Sequence, residues 1–310
     1  IYVFTSQIYF ELRGWPIGYD TAGALAVGLL ALALIGVTFS NLIGRGSKSF
    51  QTVTGKAFRP RPIELGKYRP IAGAVVIGYF LIAVVLPLAV LVYCSFQPYY
   101  QLPSMDAFRS FTLDNFRDVI ENPTVLRALK NSLILGVGSA TVVMAFMAVA
   151  SWITVRTRIP GRQLIDGFTF VPLTIPGLIM GVALLVTYLN FPIGVYGTLW
   201  LLGIAYFTRY MPYGMRYAVT SQHQIGAELE ESAYMSGATW WQTFRRVLLP
   251  LLMPGLLSGW IYILVVSFRE LSSSILLYTS GSEVLGIVIW EEWENGSMAV
   301  CLLYTSPSPR

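Results

Sequence analysis

One uncharged stretch constrains the fold of this chain more than any other feature: residues 167–208 contain no Asp, Glu, Lys or Arg. A helix that crosses the hydrocarbon core of a bilayer needs about 20 mostly apolar residues, because each residue adds about 1.5 Å to a path of about 30 Å. The stretch is therefore long enough for two crossings. We predict membrane helices over 168–189 and 198–219, separated by the turn-forming residues Asn190, Pro192, Gly194 and Gly197.

Four further apolar stretches have the length of a membrane helix, at 21–43, 71–96, 131–155 and 247–268. Across the whole chain 55% of residues are hydrophobic and 12% are charged, which excludes an ordinary soluble enzyme. The same composition excludes a disordered chain, because disorder requires low hydrophobicity and high charge. We therefore predict an all-α, multi-pass membrane protein that contacts membrane lipid.

Basic residues orient these six stretches. Residues 44–69 carry seven Lys or Arg against one Glu, so this segment is expected on the cytoplasmic side. Alternation then places 97–130 outside, 156–166 inside, 220–246 inside and 269–300 outside. The formal charge of +5 thus reflects topology, and no nucleic-acid partner is expected. One histidine and two cysteines, His223, Cys94 and Cys301, are too few for a metal site, so we expect no cofactor.

The predicted cytoplasmic segment 225–250 has a pattern of its own. Ile225, Leu229, Ala233 and Ser236 recur at helical spacing, and Gly237 can end this first helix by adopting a left-handed conformation. Thr239 and Gln242 have the spacing of a capping box, which predicts a second helix with an exposed aromatic face. The residues of that face are Trp240, Trp241 and Phe244, and Pro250 is expected to close the helix.

This segment resembles the cytoplasmic loop of permease subunits in binding-protein-dependent ABC importers. That loop reads Glu-Ala-Ala, three residues, Gly, nine residues, Ile, one residue, Leu-Pro. The chain has Glu231-Ser232-Ala233, three residues, Gly237, nine residues, then Val247-Leu248-Leu249-Pro250, so the spacing matches throughout and only the conservative Ser232 and Val247 depart from the pattern.

The resemblance implies the transmembrane helical bundle of a type I ABC importer in a bacterial inner membrane. Its partners would be a dimer of separate ABC ATPase subunits and a periplasmic solute-binding protein. The residues it assigns to docking on the ATPase are Glu231, Ser232, Ala233, Gly237, Trp240, Trp241, Arg245, Val247, Leu249 and Pro250. An alternative remains open, in which the loop is a helical hairpin lying on the bilayer. The chain has no phosphate-binding Gly-x-x-x-x-Gly-Lys-Ser/Thr sequence, so we expect it to be non-catalytic.

Two other segments resemble the fused, two-half permeases of iron(III)-type importers. They are Thr52-Val-Thr-Gly-Lys-Ala-Phe-Arg-Pro-Arg61 and the run from Ser267 to Ser280. The resemblance implies that 1–43 carries the last helix of a first half, 44–69 is a basic connector, and 70–300 is a second half without its final helix. Residues 301–310 resemble the translation of a transposase sequencing adapter, and we expect native sequence to stop near Val300.

The transported solute is expected to be iron(III), although related permeases carry thiamine, polyamines, phosphonates and oxyanions. Arg209, Arg269 and Glu270 are candidates for the translocation pathway, because charges at membrane depth tend to face a cavity or a partner. Two other roles remain open: helix packing for Arg209, and anchoring at the interface for Arg269 and Glu270. Pro172, Pro176 and Gly177 either break or only kink the helix predicted at 168–189.

Two other classes of protein are less consistent with the sequence. An ion-driven secondary transporter would need ionisable residues at mid-membrane, and only Arg209 lies there. An intramembrane enzyme would need acidic pairs, metal ligands or a nucleophile with a histidine inside the spans, but His223 lies in a predicted loop.

Overall fold

The computed structural model describes residues 4–13, 19–44, 66–99, 101–191 and 193–296. Within these ranges every regular element is helical. The first helices are α1 Phe4–Arg13, α2 Tyr19–Gly44, α3 Gly66–Ser95, α4 Met105–Arg109, α5 Asp114–Glu121, α6 Pro123–Arg156 and α7 Arg162–Thr174. They are followed by α8 Gly177–Asn190, α9 Leu199–Gln224, α10 Glu228–Met235, α11 Trp240–Phe268, α12 Ser274–Leu277 and α13 Leu285–Glu294.

The all-α prediction is confirmed, and helices cover all six apolar stretches. Three helices, α3, α6 and α11, are long and apolar enough to cross a membrane, and α7 with α8 makes a fourth if the pair is one span. Helix α9 is not among them because its polar residues, Arg209 and Arg216 included, lower its mean hydropathy. Most of the expected connector, including the segment quoted from Thr52 to Arg61, lies outside the described residues, as do 301–310.

The chain divides into two compact units, which are described separately. The first contains Ile1–Asn41 and Arg127–Ile287, and the second contains Leu42–Leu126 and Val288–Arg310. In the first unit α9 is the central helix, packed against α7, α8, α11 and α12. Its most deeply buried side chains include those of Leu201, Leu202, Tyr206, Tyr210 and Met215. A helix surrounded by protein can carry polar groups, which explains its lower hydropathy.

Small residues let α9 approach its neighbours closely. A Cβ atom at Gly214 would lie 2.6 Å from Cγ1 of Val143 on α6. On α11, a Cβ atom at Gly259 would lie 2.8 Å from Cβ of Tyr217. Glycine is therefore required at both crossings, as is common where membrane helices pack together.

The predicted helix over 168–189 is broken. Helix α7 ends at Thr174 and α8 begins at Gly177, with an angle of 104° between them. Pro172 lies inside α7 without ending it, whereas Pro176 follows Ile175, which adopts an extended conformation. A residue before proline disfavours the α conformation, so the Ile175-Pro176 pair accounts for the break.

Pro250 does not close the second helix of the 225–250 segment, contrary to expectation. The helix continues through Pro250 and Pro254 as α11 to Phe268. A π turn at Phe244–Leu248 ends two residues before Pro250, and the Leu249 N–H donates to the Phe244 carbonyl. Proline normally clashes with the carbonyl four residues earlier, and the wide turn relieves that clash.

The second unit contains α3, α4 and α5. Its π turn at Leu81–Val85 also ends two residues before a proline, Pro87. The Asn115 amide donates to the carbonyls of Ser95 at 3.0 Å and Gln97 at 2.7 Å, which fixes α5 against the end of α3. Aromatic rings pack around this junction: Tyr93, Phe96, Phe108, Phe111 and Phe116.

Candidate functional site

The segment 225–250 forms two helical pieces joined by a tight turn. Helix α10 ends in a Schellman motif, in which the Gly237 N–H donates to the Tyr234 carbonyl and the Ala238 N–H to the Ala233 carbonyl. Gly237 has φ of +82°, as the sequence predicts, and residues with a Cβ rarely adopt this conformation. The first helix is shorter than expected, because Ile225 belongs to the end of α9.

The predicted capping box is present at the start of α11. The Thr239 hydroxyl accepts from the Gln242 N–H, and the Gln242 side-chain oxygen accepts from the Thr239 N–H at 2.9 Å. This box starts a helix that continues to Phe268 without interruption. The turn at Gly237 is consequently joined to a predicted membrane helix with no flexible link between them.

The residues matched to the permease loop divide into an outer and an inner group. Trp241 is 57% exposed and Trp240 37%, and the other exposed members are Glu231, Ser232, Gly237, Arg245 and Pro250. Ala233, Val247 and Leu249 are half-buried. Phe244 was expected on the exposed aromatic face, but it is only 5% exposed, because it turns into the core.

Sequence reasoning missed a buried contact beneath this loop. Glu230, next to the matched Glu231, lies 2.8 Å from Arg156 at the end of α6. The Trp152 indole N–H donates to the other oxygen of Glu230 at 3.1 Å. Adjacent residues on a helix differ in direction by about 100°, so Glu230 is buried while Glu231 is exposed.

The pathway candidates Arg209 and Glu270 come together at the broken helix. Arg209 donates to the carbonyl of Ile175, the residue after the end of α7, at 3.1 Å, and its Nε lies 3.9 Å from a Glu270 oxygen. Glu270 is buried and also accepts from the N–H and hydroxyl of Ser273 and from the Tyr210 hydroxyl. Arg269 is exposed, and the structure does not bring it into this cluster.

An open cleft of about 500 Å³ lies between α9 and α11, on the half of these helices nearer the 225–250 segment, and its lining is mainly apolar. Its polar lining comes from Arg216, Tyr217, Thr220, Ser221, Gln224 and Ser258. The Arg216 guanidinium lies 4.8 Å above the Phe170 ring of α7, a cation–π arrangement. Among the described residues, no three His, Cys, Asp or Glu side chains converge as metal ligands would.

Comparison with known proteins gives a family match. Residues 142–303 match the family described as "Binding-protein-dependent transport system inner membrane component". A permease protein of Haemophilus influenzae assigned to ferric transport is 27% identical, with 92% of this chain and 45% of the relative covered. A permease protein of Salmonella choleraesuis assigned to 2-aminoethylphosphonate transport is 28% identical, with 77% of this chain and 88% of the relative covered.

A solved structure shares the fold. It is a bacterial alginate ABC transporter in complex with a periplasmic protein that holds an alginate pentasaccharide. The TM-score is 0.57 at 18% identity, and the match covers 77% of this chain and 90% of the other. The chain spans less than half the length of the Haemophilus influenzae ferric relative.

Proposed function

Because the chain belongs to the family of binding-protein-dependent transport system inner membrane components, we propose that it forms part of the solute pathway of an ATP-driven importer. The importer lies in a bacterial inner membrane and receives its solute from a periplasmic binding protein. Hydrolysis of ATP takes place on a separate ATPase dimer. The chain itself is a non-catalytic membrane component.

The observation that carries this proposal is the geometry of the 225–250 segment. Exposed Glu231, Ser232, Trp241 and Arg245 present a mixed apolar and charged surface of the kind that protein interfaces use. The Schellman motif and the capping box hold that surface rigidly on α11. A force applied to the surface by an ATPase subunit is therefore transmitted directly to a membrane helix. A hairpin lying on the bilayer would not need this rigid connection.

Helix α9 supports a role in the pathway. It carries Arg209 at the broken helix and the polar side chains of the cleft lined by Arg216, Thr220 and Ser258. Polar and charged groups at membrane depth face protein or water, since exposure to lipid is costly. We propose that Arg209 and Glu270 border the pathway. Arg269 is left as an exposed residue beside it.

Iron(III) is the solute that we propose first, because the match to the relative assigned to ferric transport extends over 92% of this chain. A second candidate is 2-aminoethylphosphonate. It is favoured by the match that covers 88% of the relative assigned to that solute.

Replacement of Gly237 by valine tests the coupling role. A β-branched residue at φ of +82° introduces strain on the order of 1–3 kcal/mol and disrupts the turn. We expect the variant to insert normally and the ATPase to hydrolyse ATP, while solute uptake falls. Gly194→Val is the matched control, since Gly194 has φ of +69° and no neighbour within 4 Å in a predicted outer turn. If uptake by Gly237→Val is as high as uptake by the Gly194→Val control, docking through this loop is contradicted.

Solute identity is tested in cells that express the full-length gene together with the genes of its ATPase and binding protein. We expect uptake of radiolabelled iron(III) citrate that requires the ATPase gene. Uptake of 2-aminoethylphosphonate in its place would select the second candidate. Uptake that survives deletion of the ATPase gene and collapses with the proton gradient would overturn the proposal in favour of a secondary transporter.

A further inference from the structure

We propose that Arg156, Glu230 and Trp152 couple the 225–250 loop to α6, a membrane helix to which the loop is not joined in sequence. The inference rests on the proposed function, in which an ATPase subunit moves this loop. Helices α9 and α11 must follow such a movement because the chain connects them to the loop directly. Helix α6 leads into α7 and needs non-covalent contacts in order to follow.

Both oxygens of Glu230 are held by α6. Arg156 Nε lies 2.8 Å from Oε1, a close ion pair whose N–H is not aligned for a hydrogen bond. The Trp152 indole N–H donates to Oε2 at 3.1 Å. Trp152 and Arg156 are four residues apart on a helix and share one face, so both contact the Glu230 carboxylate from a single turn of α6.

The same turn of α6 also contacts the two helices that flank α10. The Arg156 guanidinium donates to the Gln222 carbonyl at 3.2 Å and to the Ile225 carbonyl, both at the end of α9. The Trp152 ring packs on that of Trp240, in the first turn of α11, with 5.2 Å between ring centroids. Two residues of α6 thus reach α9, α10 and α11.

Because Glu230 and Arg156 are both largely buried, separating this ion pair costs free energy. The side chain of Glu230 is 8% exposed and that of Arg156 is 16% exposed. Separating a buried ion pair leaves two charges without partners in a medium of low dielectric, which is strongly unfavourable. Displacement of α10 therefore favours displacement of α6 with it. An exposed pair would exchange its partners for water and transmit little.

A buried amide without hydrogen-bond partners in the described part of the chain lies at the same place. The Gln222 side chain is fully buried, and neither its oxygen nor its nitrogen has a hydrogen-bond partner among the described residues. An unpaired buried amide raises the free energy of the arrangement in which it occurs. A shift of the loop that supplies a partner for Gln222 is correspondingly favoured, as expected at a two-state junction.

At its other end, α6 also contacts a second loop of the first unit. There Arg127 pairs with Glu283 at 3.1 Å, and the Asn131 amide donates to the Gly281 and Glu283 carbonyls. The Ser132 hydroxyl accepts from the Leu285 N–H at 2.8 Å. One continuous helix therefore connects the 225–250 loop with the 281–285 segment, which the charge pattern places on the other side of the membrane.

The test is the amount of solute transported per ATP hydrolysed, in proteoliposomes that contain the full-length protein, its ATPase and its binding protein. The probe is radiolabelled iron(III) citrate, or 2-aminoethylphosphonate if that is the solute imported by the wild type. We expect Glu230→Gln and Arg156→Gln to lower the transport ratio about tenfold while ATP hydrolysis persists, within the range of measured coupling energies. Arg156→Lys, which keeps the charge, should recover part of the ratio.

Matched controls come from the same two elements. Glu228→Gln on α10 and Arg158→Gln beyond α6 remove the same charges at exposed positions, and we expect both to keep the wild-type ratio. A purely structural role for Glu230 would lower the amount of inserted protein and leave the ratio unchanged. If Glu230→Gln does not insert, Trp152→Phe decides, because it removes the donor to Glu230 and keeps a smaller aromatic ring at that position.

The outcomes separate this inference from the proposed function. If Gly237→Val uncouples transport while Glu230→Gln, Arg156→Gln and Trp152→Phe keep the wild-type ratio, α6 is not coupled through this contact and the inference is wrong. If Gly237→Val also keeps the wild-type ratio, the loop does not dock on the ATPase and the proposed function is wrong as well.

Discussion

Arg209 lies inside α9, where insertion of an arginine into a membrane helix costs on the order of 2.5–3.5 kcal/mol. The Ile175 carbonyl and the Glu270 carboxylate offset this cost by bonding and pairing with the guanidinium. The sequence identified both charged residues as pathway candidates. It could not pair them, because the break at Ile175 and the end of α11 come together only when the first unit packs.

We expect Arg209→Gln to destabilise the protein, because it leaves the Glu270 carboxylate buried without its cation. The loss should be smaller than the roughly 3–5 kcal/mol seen for fully buried pairs, since the Arg209 side chain is 25% exposed. The double variant Arg209→Gln/Glu270→Gln removes both charges and should recover thermal stability in nanodiscs. If the pair also borders the pathway, uptake stays low in the double variant. Recovered uptake would assign the pair to helix packing alone.

Glu283 gives the structure a defined response to acid. Burial by itself raises the pKa of this carboxyl, but the Gly281 N–H and the Arg127 guanidinium stabilise the carboxylate and hold the pKa below its usual 4.5. Because the folded state has the lower pKa, the stabilisation is complete above 4.5 and is lost as the pH falls further. The melting temperature of the wild type should therefore exceed that of Glu283→Gln at neutral pH, and the difference should shrink below pH 4.5. A difference independent of pH would contradict the pairing.

At the scale of elements, the sequence predicted the turn and the helix cap whose hydrogen bonds join residues close together in the chain. Gly237 and the Thr239–Gln242 capping box formed as expected, because turn and cap bonds join neighbours in sequence. The prediction that the helix beginning at Thr239 closes at Pro250 was wrong, because that helix is continuous with the membrane helix that ends at Phe268. The π turn at Phe244–Leu248 accommodates Pro250, and no sequence rule indicates such a turn.

Because α6 and α9 cross closely, we predict that a Gly→Ala change lowers the thermal stability at one glycine of α9 and not at another. A Cβ atom at Gly214 would meet Val143 Cγ1 at 2.6 Å, whereas at Gly203 the nearest atom lies at 3.8 Å. Both Gly→Ala changes favour the helix by about 1 kcal/mol through propensity. Gly214→Ala should nevertheless lower the thermal stability, since overpacking costs about 1–3 kcal/mol, and Gly203→Ala should not. Equal melting temperatures for the two variants would show that α6 and α9 are less close.

At the scale of the whole molecule, the charge pattern makes a prediction that packing does not address. It places 156–166 and 220–246 on the cytoplasmic side, and 97–130 and 269–300 outside. The family membership agrees with a multi-pass inner-membrane chain, and the orientation stays a prediction.

Cysteine labelling in intact cells measures this orientation. In a chain with Cys94 and Cys301 replaced by serine, single cysteines replace four exposed residues, Leu102, Arg158, Met235 and Ser280. We expect a membrane-impermeant maleimide to label positions 102 and 280 in intact cells, and positions 158 and 235 only after the membrane is opened. Labelling of 158 and 280 from the same side would contradict the alternation.

The sequence by itself determined that the chain is an all-α membrane protein, where its apolar helices lie, and the loop pattern that marks its family. These properties follow from hydropathy, helix length and turn chemistry, which act between near neighbours. Only the tertiary structure decided that Arg209 meets Glu270 and that Glu230 turns inward to Arg156. Those outcomes depend on buried charges finding partners far away in sequence, and the packing of the helices selects the partners.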